Sequence, residues 1–373
     1  MPESPEVRVA RGAVVRQAAG VAAHGPAQSA YGIMQPVARM ALPVRTIADI
    51  ARLAGVSKST VSRALNDSPL IGAETKDRIR SIAREHHFEM NVPARSLSLK
   101  QSHAIALVTY AHAADSGVAD AFMLELMGGI SATLHEHGYD LLIVHVDHDE
   151  TDWAGRYIES GRVDGFILLC TRRHIEKLAE LGVPAIAWGV PSRAGRYNSV
   201  SGDSVTGGKL ATEHLLHSGR CRIAFLGGPA GDIEVQERYR GYELALQEAG
   251  FPVDPALLAY GTWDEPETSG ADAMRELLAR APDLDAVFAN SDLLAIAAMG
   301  VLRAEGRRIP DEVAVVGYDD ISLARHSNPP LTTIRQNGPL AGRLLAENLV
   351  QYLRAGVLTN VTIPAELVVR SSA

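Results

Sequence analysis

Lys58, Ser59, Thr60, Ser62 and Arg63 are the polar side chains of one short segment that opens on Ser57. Such a set can read a nucleic acid. An arginine or lysine takes the paired acceptors of a guanine edge, and a hydroxyl pairs with several edges or with phosphate. Lys58 and Ser59, at the start of the segment, are expected to be the principal base readers. Arg63 reads a guanine or clamps a phosphate, and Thr60 and Ser62 position the segment on phosphates. These side chains need a helix held rigidly from behind. The stretch from Thr46 to Asn66, TIADIARLAGVSKSTVSRALN, predicts one. Thr46 is a good N-cap, and Ile47, Ile50 and Leu53 fall on one buried face. Gly55 frees the turn, Val56 packs inward, and Ser57 caps a second helix with Val61 and Leu65 inside. A third helix is predicted from about Ala73 to His87, with Ile79, Ile82 and Ala83 facing the same core. A helix-turn-helix lays its second helix in the major groove, so sequence-specific binding of double-stranded DNA is the leading reading.

Charge supports this, although the net charge of −8 at first opposes it. Between positions 43 and 100 there are 10 Lys and Arg against 6 Asp and Glu, whereas residues 101–373 carry 22 against 36. A basic head on an acidic body is drawn to phosphate at one end only. The length of 373 residues implies two or three compact units. No run of about 18 apolar residues exists, so a membrane span is not expected. Cys170 and Cys221 make neither a disulfide framework nor a CxxC pair, and are expected to be buried or half-buried free thiols.

Behind the head, residues 91–100, NVPARSLSLK, form a connector of barely two turns, too short for a stable isolated helix. From Ser102 onward strand-like and helix-like segments alternate. Apolar runs occur at 105–109, 141–146, 165–169, 184–188, 223–226, 286–289 and 313–316, with amphipathic stretches such as 121–137, 205–218 and 235–249 among them. This alternation predicts parallel sheets covered on both faces, and its length favours two lobes with a binding cleft at the strand carboxyl ends. Residues 1–42 lack either periodicity. They are read as a disordered tail or an over-long gene start, with Met34 or Met40 the alternatives, and not as a targeting peptide.

The head, the connector and an ordered series of body segments together resemble the lac repressor family of bacterial transcription factors. The series is HGYDLL at 137–142, RVDGFIL at 162–168, DSVTGGKLATEHLL at 203–216, RIAFLGGP at 222–229, SDLLAIAAM at 291–299, VAVVGYDD at 313–320 and PPLTTIRQ at 329–336. The resemblance implies a small all-α helix-turn-helix domain (43–90), a hinge helix (91–101), and a two-lobed α/β body (102–373) like periplasmic binding proteins. It also implies a homodimer on a near-palindromic operator. By resemblance Leu97 is the hinge leucine that wedges into the minor groove, and Arg95 and Lys100 contact the DNA backbone. In the cleft, Arg238 is matched to an arginine that hydrogen-bonds the effector and Asp319 to a carboxylate that accepts from sugar hydroxyls. Trp263 is matched to an aromatic that stacks on a sugar ring, with Ser291 and Gln336 as further polar lining. Asp120 and Phe122 line the same cleft from the first lobe. Trp188 and Gly189 stand where many members carry a charged residue, which suggests a larger, flatter pocket suited to a disaccharide.

The function so implied is a cytoplasmic regulator, a repressor of carbohydrate genes, governed by a sugar effector with an α-glucoside slightly preferred. Catalytic residues, metal ligands and cofactors are not expected. HVDHDE at 145–150 reads as a polar strand exit, and no GxSxG elbow or Walker loop exists. The glycine pairs at 128–129, 207–208 and 227–228 lack phosphate-loop spacing and read as turns or close packing. A sugar-transport protein would share the body but not the head, and a nucleotide-dependent enzyme would need a phosphate loop.

Overall fold

The computed structural model describes residues 46–86, 88, 101–110, 121–146, 153–169, 172–191, 197–263 and 265–373. The N-terminal extension, the hinge with Arg95, Leu97 and Lys100, and Asp120 lie outside the described residues. By internal contacts the chain divides between Glu89 and Met90 into two units.

The first unit holds three helices, α1 (Ile47–Ala54), α2 (Lys58–Leu65) and α3 (Ala73–Glu85). The Thr46 N–H and hydroxyl both donate to the Asp49 carboxylate, at 2.9 and 3.0 Å, which pins the start of α1. Gly55 ends it in the left-handed region at φ 64°, where a side chain is disfavoured. Ser57 Oγ accepts from the Thr60 N–H at 3.1 Å and caps α2. The core is Ile50, Ala51, Ala54, Val61, Ala64 and Ile79, with Ile47, Val56, Leu65 and Ile82 packed partly against it. One expectation fails: Leu53 is 54% exposed. The buried stripe of α1 follows the i, i+3, i+4, i+7 positions 47, 50, 51 and 54, so the small Ala51 and Ala54 pack where Leu53 was expected.

After α2, Asp67 sits at φ 58° and accepts from Arg80 Nη2 at 2.8 Å, with Lys76 Nζ at 3.0 Å. Hydrogen bonds from Lys76 and then Arg80 hold its carboxyl below the ordinary value of 3.8. The unfolded chain therefore takes up the proton first on acidification. The stabilisation is complete above 3.8 and is lost as the pH falls through the lowered native value. Amide exchange across residues 46–86 of the full chain should accelerate over that window, and Asp67→Asn should flatten the acceleration.

The second unit contains β1 (Ala104–Tyr110), α4 (Ala121–Glu136), β2 (Asp140–Val146), α5 (Trp153–Glu159), β3 (Gly165–Leu169), α6 (Arg172–Glu180), β4 (Ala185–Trp188) and β5 (Ser199–Gly202). It continues with α7 (Ser204–His217), β6 (Ile223–Gly227), α8 (Ile233–Glu248), β7 (Leu258–Tyr260), α9 (Pro266–Arg280), β8 (Ala286–Ala289) and α10 (Asp292–Ala304). β9 (Ala314–Asp319), β10 (Thr332–Arg335), α11 (Gly338–Ala355), β11 (Val361–Ile363) and β12 (Glu366–Val368) complete it. Two six-stranded sheets result, ordered β11-β5-β4-β3-β1-β2 and β12-β10-β9-β8-β6-β7. Every pairing is parallel except β10 with β12.

Both sheets are covered on both faces. In β1, Ile105 and Leu107 face one layer and Ala106 and Val108 the other. In β8, Val287 and Ala289 face one layer and Ala286 and Phe288 the other. That two-sided burial explains why the strands read as continuous apolar runs. β5, β7, β10, β11 and β12 escaped the sequence reading because they are short and several are polar. α11 and β11 return to the first sheet after the second has formed, so the chain passes between lobes more than once.

Glycines let helices cross at backbone contact. A methyl at Gly208 in α7 would overlap the Arg238 carbonyl oxygen of α8, and one at Gly342 in α11 would overlap that of Leu126 in α4. The 207–208 and 227–228 pairs are thus close-packing positions, as is Gly129, whereas Gly128 faces open space. A second expectation fails at Cys221, a free thiol that is exposed. It lies in the loop before β6, where its N–H donates to Asp285 at 2.9 Å and its side chain is left outside the sheet. Among the described residues no helix is long and apolar enough to cross a membrane.

Candidate functional site

On α2, Lys58, Ser59 and Arg63 are exposed, while Val61 and Ala64 are buried in the three-helix core. The helix is therefore docked by one face and offers the other. Thr60 and Ser62 are half-buried at its margin. Ser57 Oγ lies 2.7 Å from Ser59 Oγ and 2.8 Å from Thr60 Oγ1, so the cap holds both hydroxyls at the helix N-terminus.

In the second unit the expected residues collect at strand carboxyl ends. Asp319 closes β9 at φ 118° and accepts from Gln336 Nε2 at 2.5 Å, just beyond β10. Arg238 of α8 lies with its guanidinium carbon 3.8 Å from the Tyr318 ring centre. Its Nη1 donates to the Asn290 carbonyl at 2.6 Å. Ser291 follows directly and caps α10, accepting from the Leu294 N–H at 3.2 Å. Trp263 follows β7, packs over Gly228, and donates from Nε1 to Asp232 at 2.5 Å. Burial pushes the Asp232 carboxyl upward, and the indole hydrogen bond opposes this.

From the first lobe, half-buried Trp188 ends β4 and meets Phe122 of α4 with ring centres 5.5 Å apart. Phe122 is a buried core residue that backs Trp188. Glu234, in the first turn of α8, accepts from the Val190 N–H at 3.1 Å and so joins the lobes.

Sequence reasoning missed Asp232, Glu234, Asn290 and Asp292. The last is fully buried, accepting from Thr333 Oγ1 at 2.5 Å and from the Ile321 N–H at 2.9 Å. Burial, reinforced by the nearby Asp319 charge, drives its carboxyl well upward. An acid three residues beyond an apolar strand run, at the start of a helical pattern, was the available signal for Asp292. Nothing in the spacing marks Glu234. His145, of the expected polar exit, has Nδ1 2.9 Å from Thr109 Oγ1 on the neighbouring strand.

Residues 46–91 match the pattern of bacterial regulatory proteins of the lacI family, and residues 212–373 match that of a periplasmic binding protein-like domain. The HTH-type transcriptional regulator CelR of Thermobifida fusca is 37% identical over 342 residues, which span 88% of this chain and 98% of that protein. The chain belongs to the lacI family. The ribose operon repressor of Escherichia coli K12 is 32% identical over 315 residues, spanning 83% of this chain and 93% of that one. A CelR–cellobiose complex aligns with a TM-score of 0.67 at 35% identity, covering 88% of this chain and all (100%) of that one. The lac repressor dimer bound to operator and the anti-inducer ONPF aligns at 0.76 and 27% identity, covering 88% and 98%. This lacI-family protein is thus a helix-turn-helix transcriptional regulator with a two-lobed effector domain, and not an enzyme.

The lobe contact in this lacI-family regulator carries a prediction. Gly189 has φ 119°, and a Cβ there would lie 2.6 Å from Glu234 Oε1. Gly189→Ala should therefore cost about 1–3 kcal/mol of stability through strain and loss of the Glu234 hydrogen bond. Glu234→Ala should cost less, and the double variant less than the sum, because both changes remove the same contact. Additive losses by thermal denaturation would dissociate the two residues.

Proposed function

We propose that this regulator represses carbohydrate-utilisation genes and that a sugar held between the lobes sets its affinity for operator DNA. The observation that carries the reading is the convergence, at one set of strand ends, of an indole, a guanidinium and a carboxylate–carboxamide pair: Trp263, Arg238, and Asp319 with Gln336. A sugar needs this combination, since its apolar face stacks on an aromatic plate and its hydroxyls require charged or amide partners. Asp319 accepts from hydroxyls, and Ser291 and Asp120 add polar lining.

The half-buried Trp188, backed by Phe122, supports a second stacking surface and hence a disaccharide. The sequence resemblance slightly favours an α-glucoside. The related CelR has been captured with cellobiose, which makes the β-linked disaccharide the first ligand to test.

In the DNA-binding head (43–90), Lys58 and Ser59 read base edges, Arg63 reads guanine or phosphate, and Thr60 and Ser62 rest on phosphates. The hinge (91–101) orders on DNA with Leu97 wedged between base pairs and Arg95 on the backbone. Two copies occupy a near-palindromic operator, which places one head on each half-site. The effector then alters the free energy of ordering the hinges, and this coupling is reciprocal.

Footprinting of upstream DNA with cellobiose, maltose and ribose tests the reading. Protection of a near-palindrome that one sugar changes, with the same factor appearing in sugar affinity when operator is added, is the expected result. Protection indifferent to all three sugars removes the sugar assignment. Equal protection of scrambled DNA removes sequence-specific repression.

A further inference from the structure

Asn290 is the first residue beyond β8, between the neighbouring strand ends of β6 and β9. Its backbone is committed: the N–H donates to the Leu226 carbonyl at 2.8 Å, and the carbonyl accepts from Arg238 Nη1 at 2.6 Å. Its side chain is not. Asn290 is 0% exposed, and among the described residues no group pairs with either its Oδ1 or its Nδ2. Arg238 Nε, on the guanidinium that holds the Asn290 carbonyl, is buried without a partner as well. Among the described residues, three polar atoms without partners therefore belong to the two residues joined by the Arg238 guanidinium–Asn290 carbonyl hydrogen bond, next to Ser291.

A buried carboxamide with neither atom paired loses its hydration and gains nothing in return, and an apolar side chain of the same shape would serve the fold better. The alternation of β8 places position 290 on the face of Phe288, the layer that contains Tyr318 and packs against Arg238. The unsatisfied amide thus points to binding and away from stability.

We propose that Asn290 is an effector-reading residue, its carboxamide taking a vicinal pair of sugar hydroxyls beside Arg238. The oxygen accepts from one hydroxyl and the NH2 donates to the next. This inference rests on the sugar reading of the cleft and adds to it a named donor–acceptor pair.

Asn290→Leu tests it, because leucine keeps the shape and removes both polar atoms. In the full chain, titration calorimetry with cellobiose, or with maltose or ribose if wild type prefers one of these, should show affinity lowered about 10–100-fold, the loss of two hydrogen bonds. The melting temperature without sugar should stay level or rise. Among monodeoxy analogues of that sugar, at least one should lose affinity for wild type and lose none further for the variant. Unchanged affinity overturns the proposal. So does a fall in melting temperature accompanying weaker binding, since that marks Asn290 as a packing residue. If wild type binds none of the three sugars, the sugar reading itself falls and this inference with it.

Discussion

Gly208→Val is expected to remove about 3–5 kcal/mol from the stability of the effector domain, a large share of the usual 5–15 kcal/mol. Its first added carbon would overlap the carbonyl oxygen of Arg238 and approach that residue's Cα. The obstruction is backbone, so no side chain can swing aside. The facing Gly241 is similarly pressed against the Val205 carbonyl and the Lys209 N–H. The two helices must separate along their whole crossing, and Arg238 would leave the Asn290 carbonyl as they do. Urea unfolding followed by circular dichroism gives the loss directly, and sugar binding should fall with it. Gly300→Ala provides the contrast. It lies within a helix with open space around it and should stabilise by about 0.5–1 kcal/mol. Equal effects at the two positions would show that the crossing is not backbone-limited.

The paired substitution Lys58→Ala with Arg63→Ala should reduce specific operator affinity by about 100-fold or more, at about 1–3 kcal/mol for each base-reading side chain. Both side chains are exposed, so neither supports the three-helix core. The melting temperature and effector affinity should therefore remain at wild-type values. If Arg63 clamps a phosphate, the single Arg63→Ala change should weaken all DNA alike and reduce the salt dependence by about one ion. If it reads guanine, the loss should appear on operator and spare scrambled DNA. Fluorescence anisotropy with both duplexes at two salt concentrations distinguishes these outcomes. Undiminished operator binding by the double variant would mean that α2 is not the reading helix.

Much of the architecture was legible because local rules agree with the tertiary fold. Gly55 and Ser57 mark a turn and a cap whatever surrounds them, and both act so here. The strands of the two sheet centres were readable because burial on both faces demands unbroken apolar runs. The short strands were not: Ser199–Gly202, inside its sheet, and Glu366–Val368, at an edge, carry too little apolar sequence to declare themselves. Leu53 illustrates the limit of periodicity. Positions 50 and 53 are three apart, yet the stripe turned toward 51 and 54, and only the packing of α2 and α3 determined which neighbour was covered.

The candidate effector site was legible in part. Arg238, Trp263, Asp319 and Gln336 stand in recognisable segments, and their types already suited a sugar. Their partners did not follow from type or spacing. Asp319 meets Gln336, Trp263 meets Asp232, and Glu234 reaches Val190 across the lobes, pairs separated by 17, 31 and 44 positions. The amino-acid order alone determined a helix-turn-helix head and a two-lobed α/β body, because caps, periodicity and charge act over a few residues. The tertiary structure alone decided which polar atoms at these strand ends are satisfied, and which are left over among the described residues. Hydrogen-bond pairing depends on distance in space, and that distance is set by how the sheets and glycine-crossed helices pack.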